Sequence, residues 1–331
     1  MSKQRYHARS ALTASALSRS FKMRVQGIRR IWLALIALTP LLSGCDYLGL
    51  TDIPADTMRA KYSTGARYIP VEGAQVRIKE AGQGDTVLLI HGFASSADTW
   101  DGWSQALSGR YHVISVDMPP FGVTGPLPGI TMSPAAYQQF MDALVAQLGL
   151  KQFYLAGNSL GGMISWQYAA RHPEHVKKLI LVDSAGYFHG APPLPIRLMQ
   201  MPVVDRISQH FTPRFMVSQN VHDVYGDASR VPEGTVLRYQ DMMRREGSRP
   251  AISALLPSLK GADMSVLATI KVPTLIMWGR NDRWIPPADA EQFHHAIPGS
   301  QLIWYDGLGH IPMEEDPQHT AADAAHFFQA S

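Results

Sequence analysis

Apolar residues occur in short consecutive runs along most of the chain, and the stretches between the runs show the spacing of helices. The runs predict eight strands, at Tyr68–Val71, Gln75–Glu80, Thr86–Ile90, Tyr111–Val116, Phe153–Gly157, Lys178–Val182, Pro273–Trp278 and Gln301–Tyr305. The clearest helical stretches are Asp98–Leu107, Pro134 to about Leu148, Leu160–Arg171 and Thr320–Gln329. Since only Glu72-Gly73 separates the first two strands, they are predicted to form a hairpin. The later alternation of strands with helices predicts an α/β protein whose parallel sheet is covered on both faces.

The strand pattern stops between the sixth and seventh predicted strands. Residues 187–264 are instead rich in proline, methionine and aromatic residues. A structureless loop of this length would be unusual in a compact domain, so the segment is predicted to fold as a helical insertion. Its methionines suit an adaptable apolar pocket, although most are expected to form the core of the insertion itself.

A serine stands at the end of the fifth predicted strand, in Gly157-Asn158-Ser159-Leu160-Gly161. The apolar run before it and the helical pattern after it place this Gly-x-Ser-x-Gly motif on a tight turn between a strand and a helix. The two glycines remove side chains that would collide there. Such a turn directs the Ser159 hydroxyl out of the backbone, and we therefore predict that Ser159 is a nucleophile.

A serine hydroxyl attacks well only when a base takes its proton and an acid orients that base. Asp282 follows the seventh predicted strand and His310 follows the eighth. Open α/β sheets place their sites at the carboxyl ends of strands, so both residues could reach Ser159. Asp183, after the sixth strand, is an alternative acid. Asp306 is expected to be structural, because a residue so near His310 in sequence cannot easily reach the far side of its ring.

These motifs resemble those of the α/β-hydrolases over about residues 68–328. The order Ser159, Asp282, His310 matches the nucleophile, acid and base of that family. The resemblance implies a mostly parallel eight-stranded sheet with helices on both faces. It also implies that residues 187–264 form a helical cap after the sixth strand.

The resemblance further implies an oxyanion hole, which binds the negative oxygen of a reaction intermediate through backbone N–H groups. The expected donors are the N–H of Leu160 and the N–H of Phe93, in His91-Gly92-Phe93. Gly92 permits a tight backbone at that place, and the side chain of His91 is expected to be structural.

Within the family the chain looks like the capped bacterial serine esterases and lipases, which implies cleavage of carboxylic esters through an acyl-enzyme. The serine argues against haloalkane dehalogenases and epoxide hydrolases, whose nucleophile is aspartate. Hydrolases of ring-cleavage products, which break a C–C bond, share the Gly-Asn-Ser-x-Gly-Gly elbow and are an alternative. Their oxyanion loop usually has more glycine and proline than residues 91–95. A membrane-tethered binding protein without activity is a further alternative, but all three triad residues are present.

Residues 1–45 resemble the signal peptide of a bacterial lipoprotein. Arg29-Arg30 precede the apolar run Ile31–Leu42, which is too short to span a bilayer and typical of a signal-peptide core. Leu42-Ser43-Gly44-Cys45 resembles a lipobox, so Cys45, the only cysteine, is expected to carry lipid and to begin the mature chain. The chain is thus expected on a membrane of the cell envelope, outside the cytoplasm. Residues 46–63 are predicted to be a tether and residues 64–331 the hydrolase domain.

The charge of the chain is divided unevenly. Eight of the 30 Lys and Arg residues lie in residues 1–45, which have no acidic residue, and the 22 others are outnumbered by 27 Asp and Glu. The body therefore offers no basic run for nucleic acid. The sequence has no His-x-x-x-His pair, cysteine cluster or glycine-rich phosphate loop, so no metal or organic cofactor is expected. The expected partners are an ester, either a small molecule or a lipid, and a membrane.

Overall fold

Eight strands form one sheet in the order β1-β2-β4-β3-β5-β6-β7-β8. The computed structural model describes residues 46–187, 194–259 and 262–330. The strands are β1 (Ala66–Val71), β2 (Ala74–Ala81), β3 (Thr86–Ile90), β4 (His112–Val116), β5 (Phe153–Asn158), β6 (Val176–Val182), β7 (Thr274–Gly279) and β8 (Gln301–Tyr305). β2 runs antiparallel to β1 and β4, and all other neighbours are parallel. The predicted fold class is confirmed.

The hairpin of β1 and β2 turns at the predicted residues. Val71 pairs with Ala74, and the intervening Glu72 and Gly73 have positive φ angles of 47° and 76°. Two positive φ angles are the signature of the hairpin turn whose twist matches that of the strands.

The central strands are buried along their length because helices cover both faces of the sheet. Leu155 of β5 packs into a cluster that contains Phe140 and Ile164. Its neighbour Tyr154 points the other way, into a cluster with Trp103 and Phe328. Each face of the sheet thus has its own apolar core.

The helices are α1 (Ala55–Lys61), α2 (Asp101–Leu107), α3 (Pro134–Gln147), α4 (Leu160–Arg171), α5 (Leu194–Met199), α6 (Pro202–Ser208), α7 (Arg214–Val224), α8 (Thr235–Arg244), α9 (Ser248–Leu255), α10 (Ala288–Ala296), α11 (Pro312–Glu315) and α12 (Pro317–Gln329). Short 3₁₀ helices occur at Ala97–Trp100, Ala228–Arg230, Leu256–Leu259 and Met264–Thr269.

α3 begins as the sequence indicates, since the side chain of Ser133 accepts a hydrogen bond from the N–H of Ala136 and Pro134 is first in the helix. α12 begins at Pro317, before the predicted Thr320, because Asp316 caps it and proline suits its first turn.

Helices α5 to α9 lie between β6 and β7 and form the cap, where the sequence predicts a helical insertion. Residues 188–193 and 260–261, which belong to the predicted insertion, lie outside the described part of the chain.

Residues 49–63, which we call the strap, do not form the predicted tether. α1 lies within the strap, and its Met58 is fully buried in a small cluster with Val123 and Met242. Ile53 makes a β-bridge with Arg245 of the cap. The hydrolase unit therefore begins at Gly49 rather than at residue 64.

Two buried arginines of the cap hold the strap against the hydrolase unit. The Arg244 side chain donates to the carbonyl oxygen of Thr51 over 2.9 Å. The Arg249 side chain donates to the carbonyl oxygen of Gly49 over 2.8 Å and pairs with Asp52 at 2.6 Å. Buried charges need such partners, and the strap supplies them through two carbonyl oxygens and through the side chains of Thr51 and Asp52. The contacts with carbonyl oxygens leave no pattern in the sequence.

The chain divides into two units, residues 1–48 and Gly49–Ser331. Of the first unit only residues 46–48 are described, and they are exposed and helical. The predicted signal peptide and Cys45 lie outside the described residues. Across the described ranges, no helix has both the length and the apolar character needed to cross a membrane.

Candidate active site

Ser159 occupies the turn between β5 and α4. Its φ of 54° and ψ of −120° are unusual for a residue with a side chain, as expected for a nucleophile elbow. A Cβ atom at Gly161 would lie 2.2 Å from the carbonyl oxygen of Ile90, and one at Gly157 would lie 2.2 Å from the carbonyl oxygen of Gly161. The two glycines therefore let α4 approach β3 closely enough to form the turn.

His310 and Asp282 meet at the carboxyl edge of the same sheet. The Nδ1 atom of His310 lies 2.8 Å from Oδ2 of Asp282, and both side chains are almost fully buried. The other carboxylate oxygen of Asp282 accepts from the N–H groups of Trp284 and Ile285 over 2.7 Å and 3.0 Å. With Nδ1 facing the carboxylate, His310 carries its proton there and Nε2 is left as the acceptor nitrogen.

Asp183, the alternative acid, has a different environment. It is fully buried after β6, and its Oδ1 accepts from the N–H of Gly279 over 3.0 Å. Burial and the neighbouring Asp282 raise the pKa of Asp183 well above its ordinary value, which favours the neutral form of its carboxyl. The structure thus pairs His310 with Asp282, and places Asp183 next to Asp282.

The loop after β3 lies directly against Ser159. A Cβ atom at Gly92 would be 3.0 Å from Cβ of Ser159, so glycine allows the loop and the elbow to touch. The ring of His91 bonds through Nδ1 to the carbonyl oxygen of Gly92 over 2.7 Å, and its Nε2 accepts from the N–H of Met118 over 2.9 Å. Burial lowers the pKa of His91, which agrees with a neutral, structural side chain. The expected oxyanion donor Phe93 follows directly and lines the same cavity as Ser159.

One cavity contains Ser159 and His310. Its wall is mostly apolar and comes from both the sheet loops and the cap: Phe93, Ala94, Met199, Val217, Val221, Val224, Met243, Trp284 and Ile311, with Ser95, Asn158, Asn220 and Tyr239 as polar members. The ring of Trp284 is stacked near that of His310, with centroids 6.2 Å apart. A cavity of this kind favours an apolar substrate group next to the nucleophile.

Backbone hydrogen bonds hold the His310 loop from two sides. The N–H of His310 donates to the carbonyl oxygen of Val224 in the cap over 2.7 Å. The carbonyl oxygen of His310 accepts from Nδ2 of the buried Asn158 over 3.0 Å, and Nδ2 also donates to Val182. Asn158, which directly precedes Ser159, is thus bonded to the backbone of His310, the predicted base.

Two sets of three side chains bring possible metal ligands within 4.8 Å of one another in the described part of the chain. His172, Glu174 and His175 lie at the partly exposed end of α4, away from the cavity. The other set is Asp183, Asp282 and His310, where Nδ1 of His310 already faces Asp282.

Comparison with known proteins identifies the family. A family model described as the alpha/beta hydrolase fold matches residues 85–317. The chain belongs to the α/β-hydrolase family. Among curated relatives of this hydrolase, Lipase 1 of Psychrobacter immobilis is 29% identical over 245 residues, which is 72% of this chain and 75% of that protein.

Solved structures show the same fold. A crystal structure described as a membrane phospholipase A and bacterial virulence factor is 27% identical, has a TM-score of 0.67, and covers 91% of this chain and 98% of its own. A meta-cleavage product hydrolase from Pseudomonas fluorescens is 23% identical with a TM-score of 0.69, and covers 79% of this chain and 97% of its own. The second similarity shows the fold alone.

Sequence reasoning missed an acidic residue that fixes the histidine loop of this α/β-hydrolase. Glu315 is buried, and its Oε2 accepts from the N–H groups of Gly226 and Gly309, both over 2.9 Å. Its Oε1 accepts from the N–H of Asp227, also over 2.9 Å. A Cβ atom at Gly226 would lie 2.3 Å from the carbonyl oxygen of Gly307, so the cap and the histidine loop touch through their backbones. Glu315 is therefore a positioning residue for His310.

Its neighbour Glu314 joins the cap to the other side of the cavity. Its carboxylate accepts from Tyr225 over 3.1 Å and from Tyr239 over 3.2 Å, and it pairs with Arg238. It also accepts from Thr99 over 2.6 Å. The sequence Glu314-Glu315-Asp316 resembles a solvent-exposed acidic run, which is why neither role was predicted.

Replacing Asp282 by Asn should lower kcat on the order of 10⁴-fold, since the amide cannot stabilise the imidazolium and favours the wrong tautomer. Replacing Asp183 by Asn should leave kcat within about tenfold of the parent, because Nδ1 of His310 already has Asp282 as its partner and the raised pKa of Asp183 favours a neutral group at that place. In each variant an NH₂ group replaces one carboxylate oxygen, and the two variants can be compared in steady-state assays at neutral pH. A large loss in Asp183→Asn with little loss in Asp282→Asn would reverse the assignment of the acid.

Replacing Glu315 by Gln should lower kcat by roughly ten- to a hundredfold and change KM for a short ester much less. Both carboxylate oxygens of Glu315 accept hydrogen bonds from backbone N–H groups, and the NH₂ group of Gln cannot accept them. We therefore expect the loop that contains His310 to shift, while the residues that line the cavity stay the same. Glu291→Gln, on the exposed side of α10, is the control for loss of one charge. An unchanged kcat in Glu315→Gln would show that Glu315 does not position His310.

Proposed function

We propose that this protein is a serine hydrolase that cleaves carboxylic esters through an acyl-enzyme. The observation that carries the proposal is the buried contact of 2.8 Å between His310 and Asp282, in the cavity that also contains Ser159 on its strained turn. In the proposed roles Ser159 is the nucleophile, His310 the base and Asp282 the acid that orients it.

The chemistry follows from the tautomer of His310. Nε2 takes the hydroxyl proton of Ser159 as its oxygen attacks the acyl carbon, and Asp282 stabilises the imidazolium through Nδ1. The same proton then passes from Nε2 to the leaving alcohol when the ester C–O bond breaks. Water attacks the acyl-enzyme by the same route, which releases the acid and restores Ser159.

The N–H groups of Phe93 and Leu160 are the proposed oxyanion donors. Leu160 is the first residue of α4, where backbone N–H groups have no partner within the helix. Gly92 brings the Phe93 loop against Ser159. Both donors are backbone groups on fixed elements, so they need little rearrangement when negative charge develops.

An apolar acyl group fits the wall of the cavity best, because Met199, Val217, Val221 and Trp284 line it. The names of similar proteins support an ester substrate of this kind, since one relative is a lipase and a solved structure is a membrane phospholipase A. We therefore propose that the substrate is a lipid ester or another ester with an aliphatic acyl chain.

We also propose that Cys45 is lipidated and holds the enzyme on a membrane of the bacterial envelope, outside the cytoplasm. The support is the apolar run Ile31–Leu42 followed by Leu42-Ser43-Gly44-Cys45. Several acyl chains on one cysteine give firm anchoring.

Hydrolysis of p-nitrophenyl esters from acetate to palmitate should depend on Ser159. Ser159→Ala should lower kcat by at least about 10⁴-fold while the fold is kept, since only the nucleophilic oxygen is removed. Ser63→Ala, at an exposed serine of the strap, is the control and should be fully active. Equal turnover by the parent and Ser159→Ala would contradict the mechanism. No turnover of any ester by a folded parent would favour cleavage of a C–C bond or a role without catalysis.

The intact mass of the protein extracted from membranes should correspond to a chain that begins at an acylated Cys45. A Cys45→Ala variant should lack both the acyl mass and the cleavage, because lipidation needs the thiol. A native product that retains residues 31–42 would contradict the anchor.

A further inference from the structure

Large apolar side chains are exposed over one stretch of the cap. Eleven such side chains are exposed in the described part of the chain, and six of them lie between residues 198 and 216. They are Leu198, Met201, Val203, Ile207, Phe215 and Met216, which we call the cap surface. Val203 is 71% exposed. A concentration of exposed apolar residues marks a surface that contacts something other than water.

The charges within this stretch are mostly positive. Residues 197–216 contain Arg197, Arg206 and Arg214 but only one acidic residue, Asp205. The carboxylate of Asp205 is already engaged, since it accepts from Gln209 over 3.0 Å and from Ser253. Apolar residues with flanking arginines suit a surface that is apolar inside and anionic outside, as a bilayer with anionic phospholipid is.

The strap enters the hydrolase unit beside the cap surface. A Cβ atom at Gly49 would lie 2.1 Å from the carbonyl oxygen of Thr212, three residues before Phe215. The N–H of Thr212 donates to the carbonyl oxygen of Gly49. Cys45 stands four residues before Gly49 in the sequence. A lipid on Cys45 would therefore be attached to the chain just before it reaches this part of the cap.

The cap surface also adjoins the wall of the active-site cavity. Met199 and Val217 line the cavity of Ser159, and they are the immediate neighbours of the exposed Leu198 and Met216. The same helices α5 and α7 thus present one side to the cavity and another to the outside.

From these observations we infer that the cap surface rests on a phospholipid bilayer that contains anionic lipid, and that the enzyme takes its ester from this bilayer. The inference deepens the proposed function and rests on it, including the lipid anchor. The buried contacts of the strap with Arg244 and Arg249 hold Gly49 against the cap, and Gly49 follows Cys45 by four residues in the sequence.

The position of the cap surface can be measured with the full lipidated chain in vesicles of phosphatidylethanolamine and phosphatidylglycerol. In the Val203→Cys variant, an environment-sensitive fluorophore is attached to the introduced thiol. The sulfur of Cys45 carries the lipid and does not react with the label. Lys151→Cys is the matched control, because Lys151 is exposed before β5, at the sheet edge opposite to Ser159. The label at position 203 should show blue-shifted emission and strong quenching by brominated lipid, and the label at 151 should show neither. Equal responses at both positions would overturn the inference, as would contact with a second protein in place of lipid at position 203.

Catalysis gives an independent test. Val203→Glu with Ile207→Glu should lower hydrolysis of a vesicle-borne fluorogenic phospholipid by about tenfold or more, because burial of two aliphatic side chains is lost. Hydrolysis of soluble p-nitrophenyl butyrate should be unchanged. Lys151→Glu changes the net charge by the same two units and should affect neither substrate. Equal loss in Lys151→Glu would show a general charge effect and would contradict docking through the cap surface.

Ester hydrolysis and docking on the bilayer can be distinguished experimentally. Turnover of the soluble ester that depends on Ser159, together with an unresponsive label at 203, would retain the proposed function and reject the docking. A lipid-embedded label with no turnover of any ester would reject the proposed function instead.

Discussion

The position of His310 depends on hydrogen bonds that converge on its loop from three separate parts of the chain. Asn158 holds its carbonyl oxygen, Val224 of the cap accepts its N–H, and Glu315 joins Gly309 to the cap. None of these contacts comes from the imidazole itself. They fix the backbone so that Nδ1 meets Asp282, which leaves Nε2 as the acceptor nitrogen. A ring held in this way needs little reorganisation before it accepts a proton, which is the condition for efficient general-base catalysis.

The cap is consequently part of the active site as well as its cover. Its segment from Val224 to Asp227 is bonded to the histidine loop, and Tyr225, Arg238 and Tyr239 are bonded to Glu314. The strap adds a second attachment through Arg244 and Arg249. These contacts fix α8, α9 and the end of α7. The six residues of the cap surface lie elsewhere in the cap, on α5, between α5 and α6, on α6 and at the beginning of α7. One part of the cap thus holds the proposed catalytic residues, and another part is turned outward.

Features with local or periodic patterns were predictable from the sequence. The strands were visible as apolar runs, and Ser159 stood in a motif whose spacing is set by close backbone packing. Asp282 and His310 followed strand ends, where the topology of an open sheet brings residues together. The family resemblance favoured Asp282 as the acid, and Asp183 stayed an alternative because the two residues follow neighbouring strands. The contact of Asp282 with Nδ1 of His310 distinguishes them, and this contact depends on the complete fold.

The strap and the roles of Glu314 and Glu315 were not predictable by the same reasoning. The strap binds the cap through side chains and also through backbone atoms of Gly49, Thr51 and Ile53, and the backbone contacts leave no pattern in the sequence. Glu315 binds backbone N–H groups that belong to distant segments, so nothing near it in sequence indicates burial. Asn158 occupies the variable position of the Gly-x-Ser-x-Gly motif, and the motif alone assigns it no contact.

The most direct test of the central claim is to treat the protein with a fluorophosphonate, which phosphorylates activated serines, and to identify the modified peptide by mass spectrometry. The account predicts one stoichiometric adduct on Ser159, and a much slower reaction in a folded His310→Ala variant, since the hydroxyl is activated by His310. An adduct on another serine, or an equal rate without His310, would contradict the proposed nucleophile and base.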